Sequence, residues 1–140
     1  MSARAPRAVV AAALLALDLG GAGCTVSTNP PPPPPAVTGT VTLDWTVNGA
    51  KDPSQCNATG AVSMHFTITT LSNDVVADRV DDCAAFQTTV ELSPGRYGGT
   101  ANLEDASGRA RTTAIQLQPF DVVEGTDINV PVDFPANSFF

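Results

Sequence analysis

The residues able to do chemistry are few. There are three cysteines, Cys24, Cys56 and Cys83, one histidine, His65, and an acidic run, Asp78, Asp81 and Asp82. Cys56 precedes one stretch of strand-like alternation and Cys83 follows the next. If those two stretches form an antiparallel hairpin, both thiols lie at its same end and can form a disulfide. Closing a loop across the 27-residue separation stabilises by roughly 3.5 kcal/mol in the chain-entropy account. A metal or redox pair is the alternative, but neither cysteine stands in a C-x-x-C motif or beside a histidine. One histidine cannot build a multi-histidine metal site, and no G-x-S-x-G context surrounds a serine that it could activate. His65, flanked by Ser63 and Thr67 on the polar side of a strand, is expected to be solvated. Asp78, Asp81 and Asp82, with Asp52 near the disulfide end, could offer calcium several oxygens. They lack a D-x-D-x-D-G loop, so an exposed acidic strand end is the expectation. Asp121, Glu124 and Asp127 take the same reading. Asn57-Ala58-Thr59 fits the N-glycosylation pattern only as three residues recurring by chance. No catalytic residues, metal ligands or cofactor follow from these types and spacings.

The elements that position these residues begin with an export signal. Arg4 and Arg7 precede an apolar stretch, Ala8 to Leu17, as in the charged and hydrophobic regions of a secretory signal. Ten apolar residues make a helix of about 15 Å, half the hydrocarbon core, so a permanent span is not expected. Small residues then lead to a cysteine, Gly21-Ala22-Gly23-Cys24. This resembles the lipobox of bacterial lipoproteins, and the resemblance implies diacylation of Cys24 and its exposure as the mature N-terminus. An ordinary secretory signal, cleaved near Ala22 or Gly23 and leaving a free Cys24 thiol, is the alternative. Lipidation accounts for the odd cysteine, since Cys56 and Cys83 would pair, and two or three acyl chains anchor stably. The expected divisions are residues 1–23 as signal, 24–36 as lipidated cysteine and linker, and 37–140 as the folded domain. The protein is then expected to be exported and held at a membrane of the cell envelope.

Residues 25–36 read TVSTNPPPPPPA, with six consecutive prolines from Pro30 to Pro35. Proline fixes φ and lacks an amide donor, so neither helix nor paired strand can form there. Polyproline II spans roughly 19 Å over six residues and holds the domain off the membrane. Removing residues 1–23 takes Arg4, Arg7 and Asp18 with it and leaves 5 basic and 13 acidic side chains, net −8. That charge repels phosphate backbones and anionic headgroups, which argues against nucleic-acid partners and electrostatic membrane adsorption.

From Thr38 onward apolar and polar residues alternate with period two in about seven stretches, the mark of strands with one buried face. The clearest are Thr40 to Val47, with Val41, Leu43, Trp45 and Val47 inward, and Val62 to Thr69, with Val62, Met64, Phe66 and Ile68 inward. Weaker alternation covers Val75 to Val80. Phe86 to Leu92, Tyr97 to Glu104, Arg111 to Leu117 with Thr113 inward, and Asp127 to Phe134 follow. Asp105 to Gly108 is a hairpin turn, Gly98-Gly99 a bulge or close approach, and Pro131 marks the last strand as an edge. Asp52 to Gln55 can start one helical turn. Phe139-Phe140 reads as a docked or frayed tail. The fold expected is all-β, a single antiparallel β-sandwich of about seven strands, immunoglobulin-like or transthyretin-like. Eight membrane-crossing strands of about ten residues would leave too little for loops. Leu92-Ser93-Pro94-Gly95-Arg96-Tyr97 resembles the L-x-P-G-x-Y turn of transthyretin-like and carboxypeptidase-regulatory-like modules, which are structural or adhesive. Taken together, an envelope lipoprotein with a structural or binding role toward a protein or glycan is expected. A calcium-dependent adhesion or sensing module, or an uncharacterised secreted enzyme, stands as the alternative.

Overall fold

The computed structural model describes residues 30–140. The expected signal, the lipobox-like residues and Cys24 lie outside the described residues. Pro30 to Val37 is exposed and takes part in neither helix nor strand, as the missing amide donors of the proline run require.

Two sheets face each other. The three-stranded sheet has the order β4 (Gln87–Leu92), β1 (Gly39–Val47), β7 (Asp127–Phe134), and the four-stranded sheet has the order β3 (Val75–Asp82), β2 (Ser63–Thr70), β5 (Gly95–Glu104), β6 (Ile115–Val122). Period-two alternation dictates the layering. Val41, Leu43, Trp45 and Val47 of β1, with Val130, Val132 and Phe134 of β7, pack from one side. Met64, Phe66 and Ile68 of β2, with Tyr97, Ala101 and Leu103 of β5, pack from the other. The all-β sandwich of seven strands is therefore the fold. One pairing departs from the antiparallel rule: β1 and β7 run parallel, Thr40 beside Asp127 through Val47 beside Phe134. The two strands lie far apart in sequence, so alternation within either cannot reveal their relative direction.

Edges and corners follow local chemistry. Pro131 sits in β7, an edge strand, as expected for a residue without an amide donor. Pro119 sits in β6, also an edge, where the β5 register shifts between Tyr97 and Gly99. A Cβ on Gly99 would lie 2.1 Å from the Thr67 carbonyl oxygen, so the expected close approach is real and admits only glycine. Pro94-Gly95 carries the chain from one sheet to the other. The Tyr97 hydroxyl donates to the Ser93 carbonyl at 2.8 Å and ties this corner.

The strand expected over Arg111 to Leu117 begins instead at Ile115 and runs to Val122. Thr113 is exposed and Thr112 is buried. The cause is competition for backbone partners. Thr113 N–H donates to the Ser138 carbonyl and Phe140 N–H to the Arg111 carbonyl, so the C-terminal tail engages this segment. The Thr112 hydroxyl completes the β5 ladder by accepting from Leu103 N–H at 2.9 Å. Phe139 is thereby docked against the core, while Phe140 is exposed.

Candidate functional site

Two local arrangements assemble the sequence's reactive side chains. The first is the disulfide end. Asp52 caps the short helix α1 (Pro53–Thr59) by accepting from Ser54 N–H, and Gly60 closes it in a left-handed conformation. The Arg111 guanidinium donates twice to the Thr59 carbonyl at the same helix end. Cys56 on α1 and Cys83, in the 3-10 turn after β3, are joined by a disulfide with Cα atoms 6.1 Å apart. Both are buried. The hairpin β2–β3 brings them to one end, as their positions around the two strands require. Trp45, buried in β1, donates its indole N–H to the Cys83 carbonyl at 2.8 Å, so the bridge is pinned to the opposite sheet. A shallow cavity of about 260 Å³ lies over it, lined by Cys56, Asn57, Ala61, Val62, Asp82, Cys83 and Ala84. Asn57-Ala58-Thr59 lies in α1, and the Thr59 hydroxyl is spent on the Gln55 and Cys56 carbonyls.

The second arrangement is on the outer face of the four-stranded sheet and corrects the expectation of a solvated histidine. His65 Nδ1 lies 2.8 Å from a Glu104 carboxylate oxygen, and Nε2 lies 2.7 Å from an Asp78 carboxylate oxygen. Its side chain is 30% exposed, against 14% for Glu104 and 58% for Asp78. Asn102, opposite His65 on β5, donates its amide to the same Glu104 oxygen at 3.2 Å. A neutral imidazole has one N–H and one lone pair, so it can serve only one of two carboxylates. Acceptors at both nitrogens select the doubly protonated ring. The Asp78 hydrogen bond, then that of Glu104, raises the His65 pKa above its ordinary 6.5, with burial opposing more weakly. The resulting cation ties β3, β2 and β5 together. The signal missed in the sequence is cross-strand: Asp78 and Glu104 lie 13 and 39 residues from His65, and only the register makes them neighbours.

The acidic run does not converge. Strand alternation puts Asp78 and Asp82 on the outer face and Asp81 on the inner one, opposite buried Met64. Asp78 is engaged by His65, Asp82 caps the 3-10 turn by accepting from Ala84 N–H, and Asp81 lies 3.7 Å from Arg79. Asp52 is committed to its helix cap. Among the described residues no three histidine, cysteine, aspartate or glutamate side chains are placed to hold a metal ion together. Asp121 lies 3.9 Å from Arg96 on the surface.

No family model matches the chain, and no curated protein matches it. Three solved structures that are similar in backbone come from Bacteroides thetaiotaomicron. A leucine-rich repeat protein matches at 16% identity and TM-score 0.43, over 72% of this chain and 15% of that one. A candidate adhesin matches at 10% identity and TM-score 0.43, over 69% of this chain and 45% of that one. A candidate polysaccharide-binding protein matches at 9% identity and TM-score 0.40, over 66% and 46%. The chain spans less than half the length of each of these structures.

Proposed function

We propose that this chain is an exported, lipid-anchored module of the cell envelope. Its β-sandwich is held off a membrane by the proline run and has a structural or binding role toward a protein or glycan, without catalysis. The observation that carries this reading is the buried Cys56–Cys83 disulfide. Structural disulfides persist in oxidising compartments, which is where an N-terminal export signal would deliver the chain. With two cysteines paired, Cys24 is the one left over, and acylation gives it a role. Exposed prolines directly after it supply a stiff spacer. Polar outer sheet faces, with threonine, asparagine and carboxylate side chains, offer hydrogen-bonding partners to a protein or a sugar.

The test is intact mass of the protein recovered from its native membrane fraction, before and after reduction. A mass equal to Cys24 to Phe140 plus acyl chains, gaining two hydrogens on reduction, is the expected result. An unacylated mass would remove the anchor from this account, and a reactive thiol at Cys56 or Cys83 would remove the oxidising compartment.

A further inference from the structure

A seven-strand sandwich that does not close has four strand edges, and three of them here are obstructed. β7 carries Pro131 and β6 carries Pro119 at its bulge, and proline cannot donate to an added ladder. At β4, the Arg79 guanidinium donates to the Thr89 carbonyl at 3.2 Å, which covers that edge from the facing sheet. β3 is the fourth. It has neither proline nor glycine, and nothing among the described residues pairs with its outer side. A bulge at Val76, between the pairs Ile68–Ala77 and Thr69–Val75, leaves Ala77 to Asp82 as a regular run of free edge. Alternate residues of such a strand turn their N–H and C=O groups away from the sheet and can accept a further strand.

The side chains say which strand. Val75, Val76 and Val80 are 60%, 41% and 57% exposed, an apolar content at odds with a solvated edge. Around them Asp78, Asp81 and Asp82 outnumber the single Arg79. A second copy added here would bring six carboxylates together with two guanidiniums and two His65 rings, still an excess of negative charge, so like charge opposes self-pairing. We infer that β3 is a docking edge that takes up an extended strand of alternating apolar and basic residues from a partner protein. The added backbone would continue the sheet beyond β3, its basic side chains on the outer face beside Asp78 and Asp82 with their stems over Val80, and its apolar side chains on the inner face beside Ala77. This names the partner chemistry for the binding role proposed above and does not depend on the lipid anchor.

The experiment uses the full mature chain in detergent and an end-blocked peptide, (Val-Lys)4, carrying a fluorophore. Anisotropy should show saturable binding that weakens at least tenfold between 50 and 500 mM NaCl and at least tenfold when alternate peptide amides are N-methylated. Hydrogen exchange should slow at Ala77 to Asp82 and not in β4, β6 or β7. The V75K/V80K variant changes only exposed side chains. It should retain the melting temperature within a few degrees, lose (Val-Lys)4 binding tenfold or more, and gain binding of (Val-Glu)4. Equal binding by the N-methylated peptide, protection elsewhere, or no binding by a folded chain would overturn the inference. If an acylated, disulfide-bonded protein fails to bind, only the docking edge falls. If an unacylated protein binds, only the anchor falls.

Discussion

Replacing His65 by glutamine tests whether the histidine is a charged tie across three strands. Glutamine keeps a side-chain donor but carries no charge, so one carboxylate loses its partner and Asp78 and Glu104 are left as uncompensated neighbours. The Asp78 arm is more than half exposed and contributes within the 0.2–1 kcal/mol of a surface pair. The Glu104 arm, largely buried and shared with Asn102, contributes about 1 kcal/mol. Together the loss is about 1–2 kcal/mol, or roughly 5–12 °C in Tm for a domain of this size. The sign with pH follows from the raised His65 pKa. A group that binds its proton more tightly when folded contributes fully below its unfolded value of 6.5, and the contribution fades as pH rises through the folded value. Thermal unfolding followed by Trp45 fluorescence should therefore separate wild type from H65Q fully at pH 6 and by less than half as much at pH 9. The groups facing His65 are Asp78 and Val80 on β3 and Asn102 and Glu104 on β5, with Ser63 and Thr67 beside it on β2. A His65 NMR titration midpoint at or below 6.5, or a stability difference equal at both pH values, would refute the reasoning.

Three further substitutions probe the frame. C56S/C83S should cost about 3–4 kcal/mol in denaturant unfolding, and reduction of the wild type should produce a similar loss; unchanged stability would show that the bridge is dispensable. Thr112→Val removes the acceptor for Leu103 N–H at a buried position and should cost about 1–3 kcal/mol, whereas Thr113→Val, at an exposed neighbour, should change stability by less than about 0.5 kcal/mol. Gly99→Ala forces a Cβ into the Thr67 carbonyl and should cost about 2–4 kcal/mol, while Gly98→Ala, where the added Cβ meets nothing within 4 Å, should fold with little loss.

What could be read in advance depended on range. Alternation over Thr40 to Val47 fixes which residues face inward without reference to any other strand, and Val41, Leu43, Trp45 and Val47 are all buried. The disulfide was legible because Cys56 and Cys83 bracket one hairpin, so a single local pairing places both. β6 was misplaced because Arg111 to Thr113 has strand-like composition but bonds to a tail about 27 residues away, an interaction with no periodic signature. His65 was misread for the same reason. Its same-face neighbours along β2 are Ser63 and Thr67, whereas its neighbours across the sheet are carboxylates from two other strands.

The histidine and the open edge share Asp78, and this couples them. While His65 carries its proton, it neutralises Asp78 and draws β3 onto the sheet. When the proton leaves, the outer face of β3 gains one uncompensated negative charge, and the tie that limits the edge's adjustment weakens. Both changes favour an incoming basic strand, so the affinity of (Val-Lys)4 should rise severalfold between pH 6 and pH 9 in the wild type. In H65Q the affinity should already be at its high value and stay flat across that range. Lysine keeps its charge throughout, so the peptide itself contributes no trend over most of it. An affinity that is level with pH in the wild type, or that rises equally in H65Q, would mean that the two features sit side by side without acting on each other.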